Sequence, residues 1–212
     1  MTVNLMNPED YGSVYTRKVA MHCLWLMHRY GRFEIGSIIN VGVGSAPEYA
    51  IWRWICPSIP ILGIDIRQQA ISVLHRNEEK YIQAVAHEKT MIVNFCSRCG
   101  SLQCKSQNTH EKYGLWKKVK AVAIDDLVKD PFCKPPYFIW MDIDGGEILA
   151  LKGAKETLRN TGWICVELTN WVPSHIKHIV KLLGQNGFNQ VARFSKDGIF
   201  RNTKFLRRRR GK

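Results

Sequence analysis

The chain lacks any apolar run near the roughly 18–20 residues that a membrane span needs. Its opening residues, Met1-Thr2-Val3-Asn4, lack the basic-then-apolar layout of a secretory signal. These absences set the expectation of a cytoplasmic protein with no membrane span. A disulfide framework is also missing. The seven cysteines are an odd number, and Cys23, Cys56 and Cys165 stand in apolar contexts, which favours reduced core thiols. Cys96, Cys99, Cys104 and His110 would make four zinc ligands, but no second C-x-x-C accompanies the first. No metal is therefore assigned. The alternative is a polar loop whose thiols lie near a site. Residues 105–114 are polar throughout and read as a lid.

Acids are scarce too, 18 against 31 Lys and Arg, for a net charge of +13. The last twelve residues carry seven bases and no acid, so the first 200 residues hold only +6. A basic end of this kind is either a solvated tail or a contact for nucleic acid. The length of 212 residues suits one full core.

Taken in order, residues 8–30 read as a helix, with Pro8 in its first turn and Gly31 as its stop. His22 and His28 read as packed or surface residues. Ser37 to Val41 is a strand that runs into Gly42-Val43-Gly44. Ser45 and Glu48 fit a capping box for the next helix. Strand, glycine turn and helix start make a nucleotide cradle, because glycine lets backbone approach a ligand closely. Pro47 replaces the third glycine of a dinucleotide fingerprint, which weighs against a pyrophosphate and an NADH-using dehydrogenase. Asp65 ends a second strand (61–66), 21 residues after Gly44, where an acid can accept from two ribose hydroxyls.

A helix over 68–76 follows, then strands over 81–86, 90–95 and 118–124. Asp125 and Asp126 read as caps of a short helical turn. The strand 137–142, the helix 146–159, the strand 163–168 and a helix from Pro173 to Gly184 come next. Residues 188–194 and 199–205 close the chain as a hairpin around Lys196-Asp197-Gly198. Strands and helices alternating at this spacing imply an α/β fold. It is a doubly wound, mostly parallel sheet with helices on both faces and an antiparallel C-terminal hairpin.

The stretch that organises the rest is Ile139-Trp140-Met141-Asp142-Ile143-Asp144-Gly145-Gly146-Glu147. A buried strand breaks into three acids at the sheet edge where open α/β folds bind ligands. Asp142 at the tip is the first candidate for chemistry, with Asp144 and Glu147 next. Asp144 and Glu147 also fit a capping box. Glu167, at the neighbouring strand tip, is a weaker candidate, and His110 a further base.

Residues 137–154 resemble the signature of the FkbM-type methyltransferases, an apolar strand ending Asp-Val-Glu-Gly-Ala-Glu before Leu-Lys-Gly-Ala. Residues 39–44, 119–128 and 163–168 resemble other segments of that family. The resemblance implies a class I, Rossmann-like methyltransferase domain over 36–206, an N-terminal helical segment over 1–35 and a basic tail over 207–212. It implies S-adenosylmethionine as cofactor, held by Asn40, Gly42, Gly44, Asp65, Ile66 and Ala86, with residues 84–87 beside the base. A small-molecule or glycan hydroxyl would accept the methyl group. Trp140 stands where the family usually has Lys, Asn40 where it has Asp, and Asp144 where it has Glu. The alternatives are an RNA methyltransferase using the basic surface, and a binding module that keeps the fold without catalysis.

Overall fold

The computed structural model describes residues 14–30, 35–67, 79–96, 116–168 and 173–205. Its strands are β1 (Ser37–Val41), β2 (Ile61–Asp65), β3 (Glu79–Gln83), β4 (Val85–Ala86), β5 (Met91–Cys96), β6 (Trp116–Val122), β7 (Tyr137–Met141), β8 (Thr161–Glu167), β9 (Phe188–Phe194) and β10 (Asp197–Asn202). Its helices are α1 (Val14–Arg29), α2 (Tyr49–Ile55), α3 (Ile124–Leu127), α4 (Glu147–Lys152), α5 (Lys155–Arg159) and α6 (Pro173–Gln185).

Seven strands form the main sheet in the order β3-β2-β1-β7-β8-β10-β9. The first five are mutually parallel, and β10 runs antiparallel to both β8 and β9. Every residue of β1, β2, β7 and β8 is buried. This is the pattern of parallel strands covered on both faces.

Alternate residues serve the two covers. Ile39, Val41, Ile139, Met141, Ile164 and Val166 pack with Ala150, Leu151, Leu158, Ile179 and Leu183 of α4, α5 and α6. Ile38, Phe138, Trp140, Trp163 and Cys165 pack with Val19, Cys23, Leu24 and Met27 of α1 and Trp52 of α2. Strand order reverses between β1 and β7. The crevice outside their carboxyl ends is therefore the switch point where such sheets take ligands.

The doubly wound sheet and its antiparallel end agree with the expectation. Several details do not. The strand expected over 81–86 is two strands in two sheets: β3 edges the main sheet, while β4 pairs with β6. β4, β6 and β5 form a separate three-stranded sheet, in which β5 and β6 pair antiparallel. The helix expected over 146–159 breaks after Lys152, because Gly153 lies against the backbone of His87 and Glu88. The hairpin turns at Ser195-Lys196, and Asp197 and Gly198 already belong to β10.

The expected caps also differ. Asp125 accepts from the Glu156 and Thr157 N–H groups, at 3.1 and 2.8 Å, and so caps α5 instead of its own turn. Asp126 accepts from Thr90 and Lys129, each at 2.7 Å. Cys23, Cys56, Cys133 and Cys165 are buried thiols outside any disulfide, and Cys96 is buried at the end of β5. His22 stacks edge-on against Phe194, and His28 is exposed. The helix expected over 68–76, the lid, Cys99, Cys104, His110 and the tail lie outside the described residues. Among those described, no helix is long and apolar enough to cross a membrane.

Candidate active site

The glycine turn and the second strand tip are joined by one bond. The Gly44 N–H donates to Asp65 Oδ2 at 2.8 Å, and the Arg67 N–H to Oδ1 at 2.7 Å. An ionised carboxylate has about four acceptor sites, so Asp65 retains capacity for a diol. The Arg67 guanidinium stands 3.5 Å from Oδ1 on the solvent side. Gly42 (φ 87°) and Gly44 (φ 54°) occupy the left-handed region, as does Ala46 (φ 51°). A Cβ on Gly42 would fall on the carbonyl group of Asp142, so only glycine lets β1 and β7 deliver both ends to one crevice.

Beneath this turn lies a buried polar group. Asn40 Nδ2 donates to Glu48 Oε1 at 2.6 Å, with both residues enclosed. The expected capping box from Ser45 to Glu48 is absent, because α2 starts at Tyr49 with no side-chain cap. Burial pushes the Glu48 carboxyl up to about 8, aided by the Asp142 charge and opposed by backbone and Asn40 hydrogen bonds.

On the β7 and β8 side, Asp142, Asp144 and Glu167 bring carboxylate oxygens within 4.8 Å of one another. The spacing is one a cation can use, and a lysine ammonium is already there. Lys196 Nζ is 2.7 Å from Glu167 Oε1 and 3.5 Å from Asp142 Oδ2. Burial, with a further push from Asp142, raises Glu167 to about 8 against the pull of Lys196. Burial raises Asp197 as well. Lys196 is held above its ordinary value. Burial pulls it down, but its hydrogen bond to Glu167 and the charges of Asp142, Glu167 and Asp197 outweigh that.

The sequence model of the methyltransferase FkbM domain matches residues 39–189, most of the chain. The chain belongs to the FkbM methyltransferase family. Its sheet is the class I methyltransferase arrangement that the resemblance implied. No curated protein sequence matches this FkbM chain. Solved structures of similar fold include a Pyrococcus horikoshii protein assigned as an RNA methyltransferase (13% identity, 87% of this chain and 81% of that one, TM-score 0.47). Another is the magnesium protoporphyrin IX methyltransferase of Synechocystis PCC 6803 with bound SAM (12%, 94% and 84%, 0.45). A third is the precorrin-6y C5,15-methyltransferase of Geobacter metallireducens (13%, 94% and 90%, 0.45). Likeness at these values says nothing of substrate.

Within this FkbM fold the predicted residues divide. Gly42, Gly44, Asp65 and Asp142 converge on the switch point. Ile66 is half-buried just past β2, and Ala86 is buried in the core on β4. Asn40 has no exposed surface, and its amide donates to Glu48. Asp144 is exposed at φ 46° and does not cap α4, whose N-cap is Gly146 with no side-chain cap. Glu147 is fully buried. It accepts from Gly145 N–H at 3.1 Å and faces His175 Nε2 of α6 at 2.9 Å, which holds the acidic turn in shape. Trp140 replaces the family lysine with an aromatic packing element. Its ring is 5.6 Å from Trp52 and 6.5 Å from Phe138, near perpendicular to both.

Sequence reasoning missed Glu48, His175, Lys196 and Tyr15. Lys196 had a usable signal. A hairpin turn whose second strand borders β8 must come back beside the carboxyl end of β8.

Proposed function

We propose that this chain uses S-adenosylmethionine to methylate a hydroxyl of a small molecule or glycan. The observation that carries the reading is the convergence of the Gly42–Gly44 turn, Asp65 and Asp142 on one crevice. The residues fit the cofactor. A close-approach glycine turn suits its methionine and ribose parts, Asp65 retains acceptor capacity for the ribose diol, and the carboxyl groups favour a cationic sulfonium. When bound, the cofactor supplies an electrophilic methyl group on sulfur.

The chain's own work is then placement. Asp142 is half-buried and stands at the tip of β7, so it can orient an acceptor hydroxyl for in-line attack. The crevice sets Asp142, Asp144, Glu167 and Asp197 against Lys196. That excess of acid suits a neutral hydroxyl and opposes a phosphate-rich acceptor, which ranks RNA below a small molecule or glycan despite the net charge of +13.

Calorimetry with S-adenosylmethionine, followed by transfer of labelled methyl to hydroxylated small molecules, glycans and RNA, tests the reading. Asp142→Asn is expected to keep cofactor binding within a few fold and to lose transfer by about 10²-fold. No cofactor binding at millimolar concentration would leave only a binding module. Transfer to RNA alone would overturn the choice of acceptor.

A further inference from the structure

The family match ends at residue 189, yet the crevice is completed by residues on either side of it. Lys196 comes from the β9–β10 turn, where Ser195 takes φ 47° and the Lys196 carbonyl accepts the Leu168 N–H at 2.5 Å. Its side chain is 43% exposed, so the ammonium approaches from the open side of the crevice. Asp197 pairs in register with Glu167, which places the start of β10 beside the end of β8. From the N-terminal side, the Tyr15 hydroxyl donates to Asp197 Oδ2 at 2.8 Å, and it lies 2.5 Å from the Phe194 carbonyl oxygen. Tyr15 thus pins both ends of the turn that presents Lys196.

Glu167 is the buried member of this group. Its side chain is 3% exposed; Oε1 takes the Lys196 ammonium, and Oε2 has no hydrogen-bond partner among the described residues. A buried, unpaired carboxyl oxygen costs stability unless something donates to it. Among the described residues no N–H or hydroxyl donates to it: Asp142 and Asp144 present carboxylate oxygens, Asp142 close enough to share a proton with Glu167, and Asp197 is committed to Tyr15. The Cys165 thiol lies on β8, buried in the α1 face of the sheet. What Oε2 leaves unfilled is hydrogen-bonding capacity, the kind an acceptor hydroxyl can supply once it enters beside Lys196.

We propose that Glu167 is the proton acceptor of the transfer step, and that Lys196, set by Tyr15, is the positioning residue that holds it there. The inference rests on the reading of the chain as an O-methyltransferase. The step balances: the acceptor oxygen forms a bond to the methyl carbon, the carbon–sulfur bond breaks with its electron pair going to sulfur, and the hydroxyl proton passes to Glu167 Oε2. Burial raises Glu167 to about 8, close to working pH, where a base is most effective.

The experiment is the pH profile of kcat/KM with the best acceptor found. The unaltered chain should show a limb rising through about pH 8. Glu167→Gln should abolish that limb and lower kcat by about 10²-fold or more, with cofactor affinity kept. Lys196→Gln removes a cation that favours the ionised form, so the limb should move up by about one pH unit. Lys196→Arg should return it, and Tyr15→Phe should give a smaller shift of the same sign.

A limb that stays in place in Lys196→Gln, or survives in Glu167→Gln, overturns the proposal while leaving methyl transfer intact. No transfer by the unaltered chain overturns the underlying reading instead, so the two failures are distinct. Mn²⁺ is the remaining arm. Saturable binding seen by electron paramagnetic resonance, with transfer that requires it, would put a metal among Asp142, Asp144 and Glu167 in place of Lys196 and overturn the assignment.

Discussion

The carbonyl group of Asp142 occupies the place where a Cβ on Gly42 would stand. Two strands distant in sequence, β1 and β7, thus meet at their carboxyl ends with no room for a side chain between them. The Asp142 N–H donates back to the Val41 carbonyl at 2.9 Å and closes the contact.

Gly42→Ala must therefore part the two strand ends as well as hold Ala at φ 87°. A cost of about 3 kcal/mol is expected, a fall in Tm of roughly 6–12 °C for a chain of this size. Gly44→Ala is the control. Its Cβ would meet only the Arg67 side chain at 3.6 Å, leaving the left-handed backbone cost of about 1 kcal/mol. Thermal melts of the two variants check the difference, and equal losses would contradict the close-approach account.

Asp65→Asn keeps the shape and removes the charge. The amide oxygen can serve Gly44 or Arg67, and the amide nitrogen then faces the other N–H. Loss of a charge-assisted acceptor is worth about 1.5–3 kcal/mol, so S-adenosylmethionine should bind roughly 10- to 100-fold more weakly by calorimetry. Unchanged affinity would remove Asp65 from the cofactor site.

Glu48 makes stability depend on pH. Its carboxyl is raised from an ordinary value of 4.5 to about 8, chiefly by burial. Between those values the folded chain binds the extra proton, so this contribution is full below the lower value and is lost as pH rises toward the upper one. Glu48→Gln should flatten the fall in Tm between pH 5 and pH 8 relative to the unaltered chain. Asn40→Asp sets a second carboxyl against Glu48, at a position where the amide stands 2.6 Å away. Its destabilisation should be greater at pH 8 than at pH 5, by about 1 kcal/mol or more. Chemical denaturation at the two pH values measures both effects.

Trp140→Lys restores the family residue and is expected to harm the protein. Trp140 is 4% exposed and interlocked with Trp52 and Phe138 on the face covered by α1 and α2. Losing a buried indole from such a cluster costs about 3–5 kcal/mol, and the lysine would have to reach water past Trp52. A Tm lowered by less than a few degrees would mean that the cluster is looser than its geometry.

Much of the fold was readable in sequence because its signals are local. The apolar runs 37–41, 61–65, 137–141 and 161–167 have no alternation, as strands covered on both faces require. Gly42-Val43-Gly44 and Asp65 were readable as neighbours, because a glycine turn after one strand and an acid ending the next lie side by side in such sheets, and the Gly44 N–H donates to Asp65. The capping boxes misled. Glu48 and Glu147 stand three residues after a suitable partner, but each is drawn into the interior by a residue elsewhere in the fold, Asn40 in one case and His175 in the other. The strand over 81–86 misled for a similar reason. Its residues pair with β2 and with β6 in turn, and nothing local marks the change of partner.

The sequence by itself determined the layered α/β architecture, the family and the glycine, Asp65 and Asp142 points of the crevice. Each of these depends on residue type at short spacing, which backbone geometry and burial translate directly. The tertiary structure alone decided that Lys196 and Tyr15 belong to the site. Their contacts to Asp142, Glu167 and Asp197 join segments up to 182 residues apart. Such contacts arise only when β10 folds back beside β8 and α1 covers the same face of the sheet.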